Sequence, residues 1–295
     1  MGNPDVAEYW KRIEEGWSDS VAAANEGSVE ESFAARRLRN PFRRARGPIF
    51  ITGMSGTGKS VMYKMLQGLI GERYKKTHES EDVERGRVGI AKDGSRIRAK
   101  IYVLPGQRDS QPRLDAVDRF FKYGNYPVGV VHVVDWGLAE VWDSGARQEL
   151  LRKLAIRSKP RSLTEVGEYL RTTQELDDFK RTSRLLKDAW ADRTDEIWFI
   201  VAVAKCDLYW PQITDVGKYY IPDNNPKADS FFGKEVRALI EQLQFPKFAV
   251  LPISCVSDPF DFSTEIRTAA SDFDNNWRAA LISRMLKTIG GFNGL

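Results

Sequence analysis

Eight consecutive residues decide the fold of this chain: Gly53-Met54-Ser55-Gly56-Thr57-Gly58-Lys59-Ser60. They follow a short apolar run at 48–52 and precede a helical pattern. Glycines here let successive backbone N–H groups turn inward, and the start of a helix adds the positive end of its dipole. The Lys59 ammonium and the Ser60 hydroxyl suit phosphate oxygens and Mg²⁺ respectively. The stretch therefore predicts a nucleoside triphosphate site whose phosphate cradle runs from Gly53 to Val61.

The composition is that of a globular protein with one strongly basic segment. The 295 residues are 42% hydrophobic and 29% charged, with a formal net charge of +4. No apolar run approaches the roughly 20 residues that span a bilayer, and we expect no secretory signal. Cys206 and Cys255 lack metal-ligand spacing, which favours a reduced, cytoplasmic setting. The positive charge comes from the segment Arg36–Arg46, which holds six arginines and no acid.

Strand and helix patterns alternate from residue 48 onward. We expect strands at 48–52, 87–91, 97–103, 128–135, 197–204 and 247–254. We expect helices at 59–70, 112–122, 144–157, 162–192, 229–243 and 273–289. An Asp93-Gly94 turn joins the second and third strands as a hairpin. The alternation predicts an α/β domain with a six-stranded, mostly parallel sheet and helices on both faces.

Two regions fall outside that alternation. Residues 1–47 form an N-terminal arm, in which 5–39 reads as two helices with a break near 18–28 and a second helix at Val29–Leu38. Residues 138–195 are polar and helix-rich, and we interpret them as an insertion within a domain at 48–295. The insertion is a candidate surface for a protein partner.

A second motif concerns the base of the nucleotide. Ala204-Lys205-Cys206-Asp207 follows the strand at 197–203. A carboxylate at Asp207 can accept hydrogen bonds from N1–H and the exocyclic amine of guanine, and adenine offers neither in that arrangement. The Lys205 stem can pack over the base. The segment resembles the N/T-K-x-D guanine-recognition motif of GTPases, although Ala204 lacks the side chain that usually ties this loop to the phosphate loop.

Two further segments resemble GTPase loops. Ser254-Cys255-Val256 resembles the loop that contacts the guanine O6 through backbone N–H groups. Leu104-Pro105-Gly106-Gln107 resembles the D-x-x-G-Q segment, in which Gly106 would lend its N–H to the γ-phosphate and Gln107 would orient water.

Taken together, the motifs resemble those of Ras-superfamily small GTPases, closest to the Arf and signal-recognition-particle-receptor beta-subunit branch. The resemblance covers about 48–137 and 196–289. It implies a P-loop GTPase fold and a switch that binds GTP and GDP with Mg²⁺ and hydrolyses GTP slowly. It also implies Ser60 and Thr77 as metal ligands, catalytic roles for Lys59, Thr77 and Gln107, and an effector bound through the switch loops or the insertion.

Val103 departs from the family pattern. The resemblance places an Asp at this position, where it holds Mg²⁺ through a water. A valine offers no acceptor, so Val103 predicts weak Mg²⁺ dependence and slow hydrolysis unless another carboxylate, such as Asp135 or Asp109, takes over.

Alternative functions remain open at this stage. The chain could be a GTP-binding scaffold that does not hydrolyse GTP, or a P-loop ATPase with Asp135 as its Walker-B carboxylate. A role in a bacterial conflict system is an analogy at the family level, and no residue of this sequence supports it. The Arg36–Arg46 segment is a solvated tail or contacts an acidic partner or an anionic membrane; nucleic acid is disfavoured because the segment has few aromatic residues.

Overall fold

A mostly parallel β-sheet with helices packed against it organises the chain in the computed structural model. The structure describes residues 6–27, 43–44, 47–67, 83–92, 95–106, 115, 118, 126–141, 144–157, 163–191, 197–244, 246–256, 259–260, 271 and 273–294. Within these residues, no helix combines the length and the apolar character that crossing a bilayer requires.

The sheet contains the six expected strands and one short additional strand. Its members are β1 (Arg43–Arg44), β2 (Ile49–Thr52), β3 (Glu84–Lys92), β4 (Ser95–Val103), β5 (Gly129–Val134), β6 (Trp198–Val203) and β7 (Lys247–Pro252). The order is β3-β4-β2-β5-β6-β7, and β1 pairs with the first part of β4. Only the β3–β4 pair is antiparallel. The additional strand β1 belongs to the arginine-rich segment, which the sequence patterns did not predict to be a strand.

The strand order reverses at β2, which is where sheets of this class form a ligand-binding crevice. The next parallel strand along the chain, β4, lies on one side of β2, and β5 lies on the other. Ligands of open α/β sheets bind at the carboxyl ends of strands where the order reverses in this way. The Gly53–Ser60 stretch follows β2 directly and therefore lies at this crevice.

Most helices lie at expected positions with some differences in their bounds, and Ile213–Tyr220 is a helix that the sequence patterns did not predict. They span Val6–Glu26, Lys59–Leu66, Ser144–Arg157, Leu163–Tyr169, Leu176–Trp190, Ile213–Tyr220, Phe231–Gln242 and Asn275–Phe292. A π-helical segment, Leu170–Glu175, joins the fourth and fifth of these, and a 3₁₀ segment spans Cys206–Gln212. The helix expected at 112–122 lies outside the described residues apart from 115 and 118.

The N-terminal helix differs from its prediction. The break expected near 18–28 is wrong at its start, because the helix continues through 18–20, and it is confirmed at its end, because the helix stops at Glu26. The Ser20 hydroxyl donates to the Gly16 carbonyl at 2.7 Å, so the polar stretch satisfies itself within the helix. Asp19 forms an ion pair with Arg284 at 3.0 Å. The helix ends only at Gly27, which has a φ of 60°. The second predicted helix, Val29–Leu38, lies outside the described residues.

The apolar core lies on both faces of the sheet. On one face, the helix Lys59–Leu66 and the C-terminal helix pack over Ile51 and Val103. On the other face, the N-terminal helix contributes Trp10 and Trp17, and the insertion contributes Val166, Leu170, Phe179 and Leu186. The insertion and the N-terminal helix are thus part of the core that supports the sheet.

Candidate functional site

The phosphate loop has the backbone conformation that its glycines predict. Gly53 has a φ of 132° and Gly56 a φ of 79°. A Cβ at Gly53 would lie 2.3 Å from the Val133 carbonyl oxygen, and one at Gly56 would lie 2.2 Å from the Glu140 carbonyl oxygen. Side chains at these two positions would therefore collide with backbone, so the loop turn depends on glycine.

The lysine of the loop folds back over the loop itself. Lys59 is 7% exposed, and its Nζ donates to the Met54 carbonyl at 2.7 Å. The Thr57 hydroxyl donates to the same carbonyl at 3.0 Å. Both side chains thus hold the loop closed, and the Lys59 ammonium lies at its centre. Gly58 is the N-cap residue of the helix Lys59–Leu66 and has a left-handed conformation.

The segment after β4 lies against the same loop. A Cβ at Gly106 would lie 2.3 Å from the Ser55 nitrogen and 2.4 Å from Lys59 Nζ. The structure therefore brings Gly106 next to the phosphate cradle, at the distance that only glycine allows. Gln107, the next residue, lies outside the described residues, as does Thr77.

The first turn of the helix carries the hydroxyl expected to bind metal. Ser60 is half-buried, and its Oγ donates to the Glu84 carboxylate at the start of β3. Val61 is also half-buried. Val103 is 2% exposed and belongs to the apolar core. Glu84 was not among the sequence-predicted site residues.

Lys205 connects the loop after β6 to the phosphate loop. It adopts a left-handed φ of 58°, which turns the chain out of the strand. Its Nζ donates to the Gly56 carbonyl at 2.8 Å, to the Leu138 carbonyl at 2.5 Å and to Asp135 Oδ2 at 3.1 Å. The tie to the phosphate loop that Ala204 lacks is therefore supplied by Lys205.

A buried pair of acids lies behind Lys205. Asp135 is fully buried, and its backbone N–H donates to Glu175 Oε2 at 2.9 Å. The Tyr220 hydroxyl donates to Glu175 Oε1 at 2.6 Å. Burial, followed by the Asp135 charge, raises the pKa of Glu175 to about 8. Burial also raises the pKa of Asp135, although Lys205 opposes the shift. Sequence reasoning missed Glu175, which comes from the π-helical segment of the insertion.

Asp207 is a buried carboxylate near the site. It is 9% exposed, and neither carboxylate oxygen has a hydrogen-bond partner within the described part of the chain. Burial raises its pKa, and the nearby Ser254 hydroxyl opposes the shift. A buried carboxylate costs free energy unless donors satisfy it. A ligand with two adjacent N–H donors would supply them.

The loop after β7 borders Asp207. The Cys206 backbone N–H donates to the Ile253 carbonyl at 3.3 Å, which links the loops after β6 and β7. Ser254 is buried, and its hydroxyl donates to the Val256 carbonyl at 3.3 Å. Burial, followed by the charge of Asp207, raises the pKa of Cys255 to about 12, so this thiol stays protonated.

The residues beside the Gly53–Ser60 loop offer single oxygen donors, a hydroxyl and a carboxylate. No group of three or more His, Cys, Asp or Glu side chains suitable for a metal occurs among the residues that the structure describes. Mg²⁺ at nucleotide sites needs fewer protein ligands, because phosphates and water supply the others. Ser60 and the adjacent Glu84 carboxylate are oxygen ligands of the type it prefers.

The comparisons with known proteins add no family to these observations. No protein-family model matches the chain, and no curated protein is significantly similar to it.

Proposed function

We propose that this chain is a guanine-nucleotide switch with a P-loop GTPase fold of the Ras-superfamily type. It binds GTP and GDP with Mg²⁺, hydrolyses GTP slowly, and passes its nucleotide state to a protein partner in the cytoplasm. The proposal includes the Arf and signal-recognition-particle-receptor beta-subunit branch as the nearest type.

One observation carries the proposal more than any other. Within the described residues, neither buried carboxylate oxygen of Asp207 accepts a hydrogen bond, and Lys205, two residues earlier, donates to the Gly56 carbonyl. In this proposal, Lys205 links the loop that recognises the base to the loop that binds the phosphates. Guanine N1–H and the exocyclic amine are the adjacent donors that would satisfy Asp207.

Each part of the site has a distinct role in this proposal. The backbone of Gly53–Ser60 and the Lys59 ammonium bind the phosphates. Gly106 lies against Ser55, and in this proposal its backbone N–H binds the terminal phosphate. Gln107 and Thr77 keep their predicted roles in orienting water and in closing the first switch loop. Catalysis of phosphoryl transfer then depends mainly on positioning and charge stabilisation.

Ser60 is the residue that would hold the metal in the described part of the site. When bound, Mg²⁺ neutralises developing charge on the phosphate oxygens.

The ATPase alternative is less well supported. It requires Asp135 to act as the metal-binding carboxylate of a Walker-B motif. Asp135 Oδ2 instead accepts a hydrogen bond from Lys205, and Glu175 approaches its backbone. The alternative also leaves the unsatisfied carboxylate of Asp207 without a ligand.

Competition binding tests the proposal. Protein stripped of nucleotide is loaded with fluorescent GDP and challenged with unlabelled GTP, GDP or ATP. We expect GTP and GDP to displace the probe at stoichiometric concentrations and ATP to fail even in large excess. Lys59→Ala is the matched control and should not retain the probe. Equal displacement by ATP would contradict the proposal.

A further inference from the structure

The pairing of β3 with β4 places the Glu84 carboxylate beside Val103, the position at which the GTPase pattern has an Asp. Glu84 lies directly opposite Val103 in the antiparallel register. Paired residues of antiparallel strands project to the same face of the sheet. Val103 is in contact with the core beneath the helix Lys59–Leu66. Glu84 therefore lies on the face of the sheet that this helix covers.

Packing between β3 and the helix brings Glu84 to Ser60. Gly86 lies two residues after Glu84, on the same face of β3. A Cβ at Gly86 would lie 2.1 Å from the Tyr63 hydroxyl, so this strand approaches the helix closely. Ser60 and Tyr63 lie one turn apart on the same helix face. The close packing of Tyr63 on Gly86 thus fixes the distance between the helix and β3, and at this distance Ser60 Oγ donates to Glu84.

Tyr63 has a hydrogen-bond partner other than Glu84. The Gln67 amide donates to the Tyr63 hydroxyl at 2.9 Å. The Glu84 carboxylate accepts instead from the Ser60 hydroxyl.

We infer that Glu84 supplies the metal-facing carboxylate that Val103 lacks, an inference that rests on the proposed function. A carboxylate in contact with the hydroxyl that binds Mg²⁺ can accept a hydrogen bond from a metal-bound water or bind the metal directly. Without a cation, its negative charge would lie close to the nucleotide phosphates and oppose their binding. Glu84 thus makes nucleotide binding dependent on Mg²⁺.

The other carboxylates considered for this role do not fit it equally well. Asp135 is engaged by Lys205 on one oxygen and lies beside Glu175. Asp109 lies outside the described residues. Glu84 is the described acid that contacts Ser60.

The test measures metal binding separately from hydrolysis. Wild type and Glu84→Gln are loaded with fluorescent GDP, and the release rate is measured across a titration of free Mg²⁺. Mn²⁺ binding to the GDP-loaded proteins is measured in parallel by electron paramagnetic resonance. Loss of a carboxylate that supports a metal site commonly weakens metal affinity 10- to 100-fold. We expect a shift of about this size for both metals in Glu84→Gln.

Behaviour without metal separates this role from a general defect. In EDTA, Glu84→Gln should release GDP no faster than wild type, because the substitution removes a charge that repels phosphate. Glu149→Gln, an exposed acid paired with Arg152, is the matched control and should behave as wild type. Glu84→Asp keeps the charge on a shorter side chain and should fall between wild type and Glu84→Gln. Adding Val103→Asp to Glu84→Gln should restore metal affinity at least in part.

The outcomes distinguish this inference from the proposed function. Unchanged metal dependence in Glu84→Gln overturns the inference, as does tighter metal binding, which would make Glu84 an obstacle at Ser60. A wild-type protein that binds no guanine nucleotide overturns the proposed function as well. If the double variant does not fold, the metal affinities of Glu84→Asp and Glu84→Gln still test the inference. Equal metal affinities in these two variants would contradict it.

Discussion

Glu175→Gln should remove a pH dependence of folding stability that the buried acids impose. Burial, followed by the Asp135 charge, raises the pKa of Glu175 from its ordinary value of 4.5 to about 8 in the folded protein. Between these values the folded state keeps its proton and the unfolded state loses it. The folded state then binds more protons, so the free energy of unfolding falls as pH rises through this window. Glutamine cannot titrate, and its contribution is constant.

The magnitude follows from the two pKa values. Each pKa unit corresponds to about 1.4 kcal/mol, so Glu175 should lower the free energy of unfolding by roughly 3–4 kcal/mol between pH 5 and pH 8.

Urea unfolding of wild type and Glu175→Gln at several pH values measures this contribution. The difference between the two unfolding free energies should change by several kcal/mol across the range. Glu168→Gln, an exposed acid on the preceding helix, is the control and should follow wild type. Parallel pH profiles for wild type and Glu175→Gln would refute the reasoning, since they would mean that Glu175 titrates near its ordinary value.

Three further perturbations probe the scaffold around the site. Lys205→Met leaves the buried Asp135 without its cation. It should lower the free energy of unfolding, measured by urea titration at pH 7.5, by about 3–5 kcal/mol, and adding Asp135→Asn should partly reverse the loss. An unchanged free energy of unfolding in Lys205→Met would mean that Lys205 does not neutralise Asp135. Trp10→Ala should cost about 3–5 kcal/mol in the same assay, because Trp10 is 2% exposed and packs against Phe248. A loss below about 1 kcal/mol would show that the N-terminal helix is not docked on the core. Deleting 138–195 should abolish cooperative folding, measured by near-ultraviolet circular dichroism, because the insertion supplies buried core side chains. A folded deletion variant that binds GDP would instead make the insertion a separable partner surface.

The sequence predicted the sheet well because its strands are nearly continuous apolar runs. β5 and β6 are buried along their whole length, and such runs leave few alternatives. The helical run from Cys206 to Tyr220 was missed, since Pro211 and Gly217 resemble the residues of a loop. In the structure, Gly217 lies within a helix, and it makes room for Trp17, because a Cβ at this position would lie 2.6 Å from the Trp17 ring nitrogen. That contact joins parts of the chain that no local pattern relates.

The segments at 53–60 and 204–207 stood out in the sequence because the residues of each are adjacent in the chain, and their roles in binding phosphate and base stay predictions. Glu175 did not stand out, since its approach to Asp135 depends on a π-helical segment of the insertion. Glu84 could have been found from a feature that the sequence does contain. The Asp93-Gly94 signal predicts a two-residue connection that pairs Lys92 with Ser95. Counting back along both strands from that pair gives Glu84 opposite Val103, which is the observed register.

Exchange of Asp207 for asparagine, followed by nucleotide competition, tests the central claim most directly. The Asp207 carboxylate offers two acceptors, and asparagine offers one acceptor and one donor. We expect Asp207→Asn to lose affinity for GDP steeply and to gain affinity for xanthosine diphosphate, which carries a carbonyl in place of the exocyclic amine. Thermal unfolding of the stripped protein should show that the variant remains folded. Unchanged GDP affinity in a folded Asp207→Asn protein, with no gain for xanthosine diphosphate, would contradict the account.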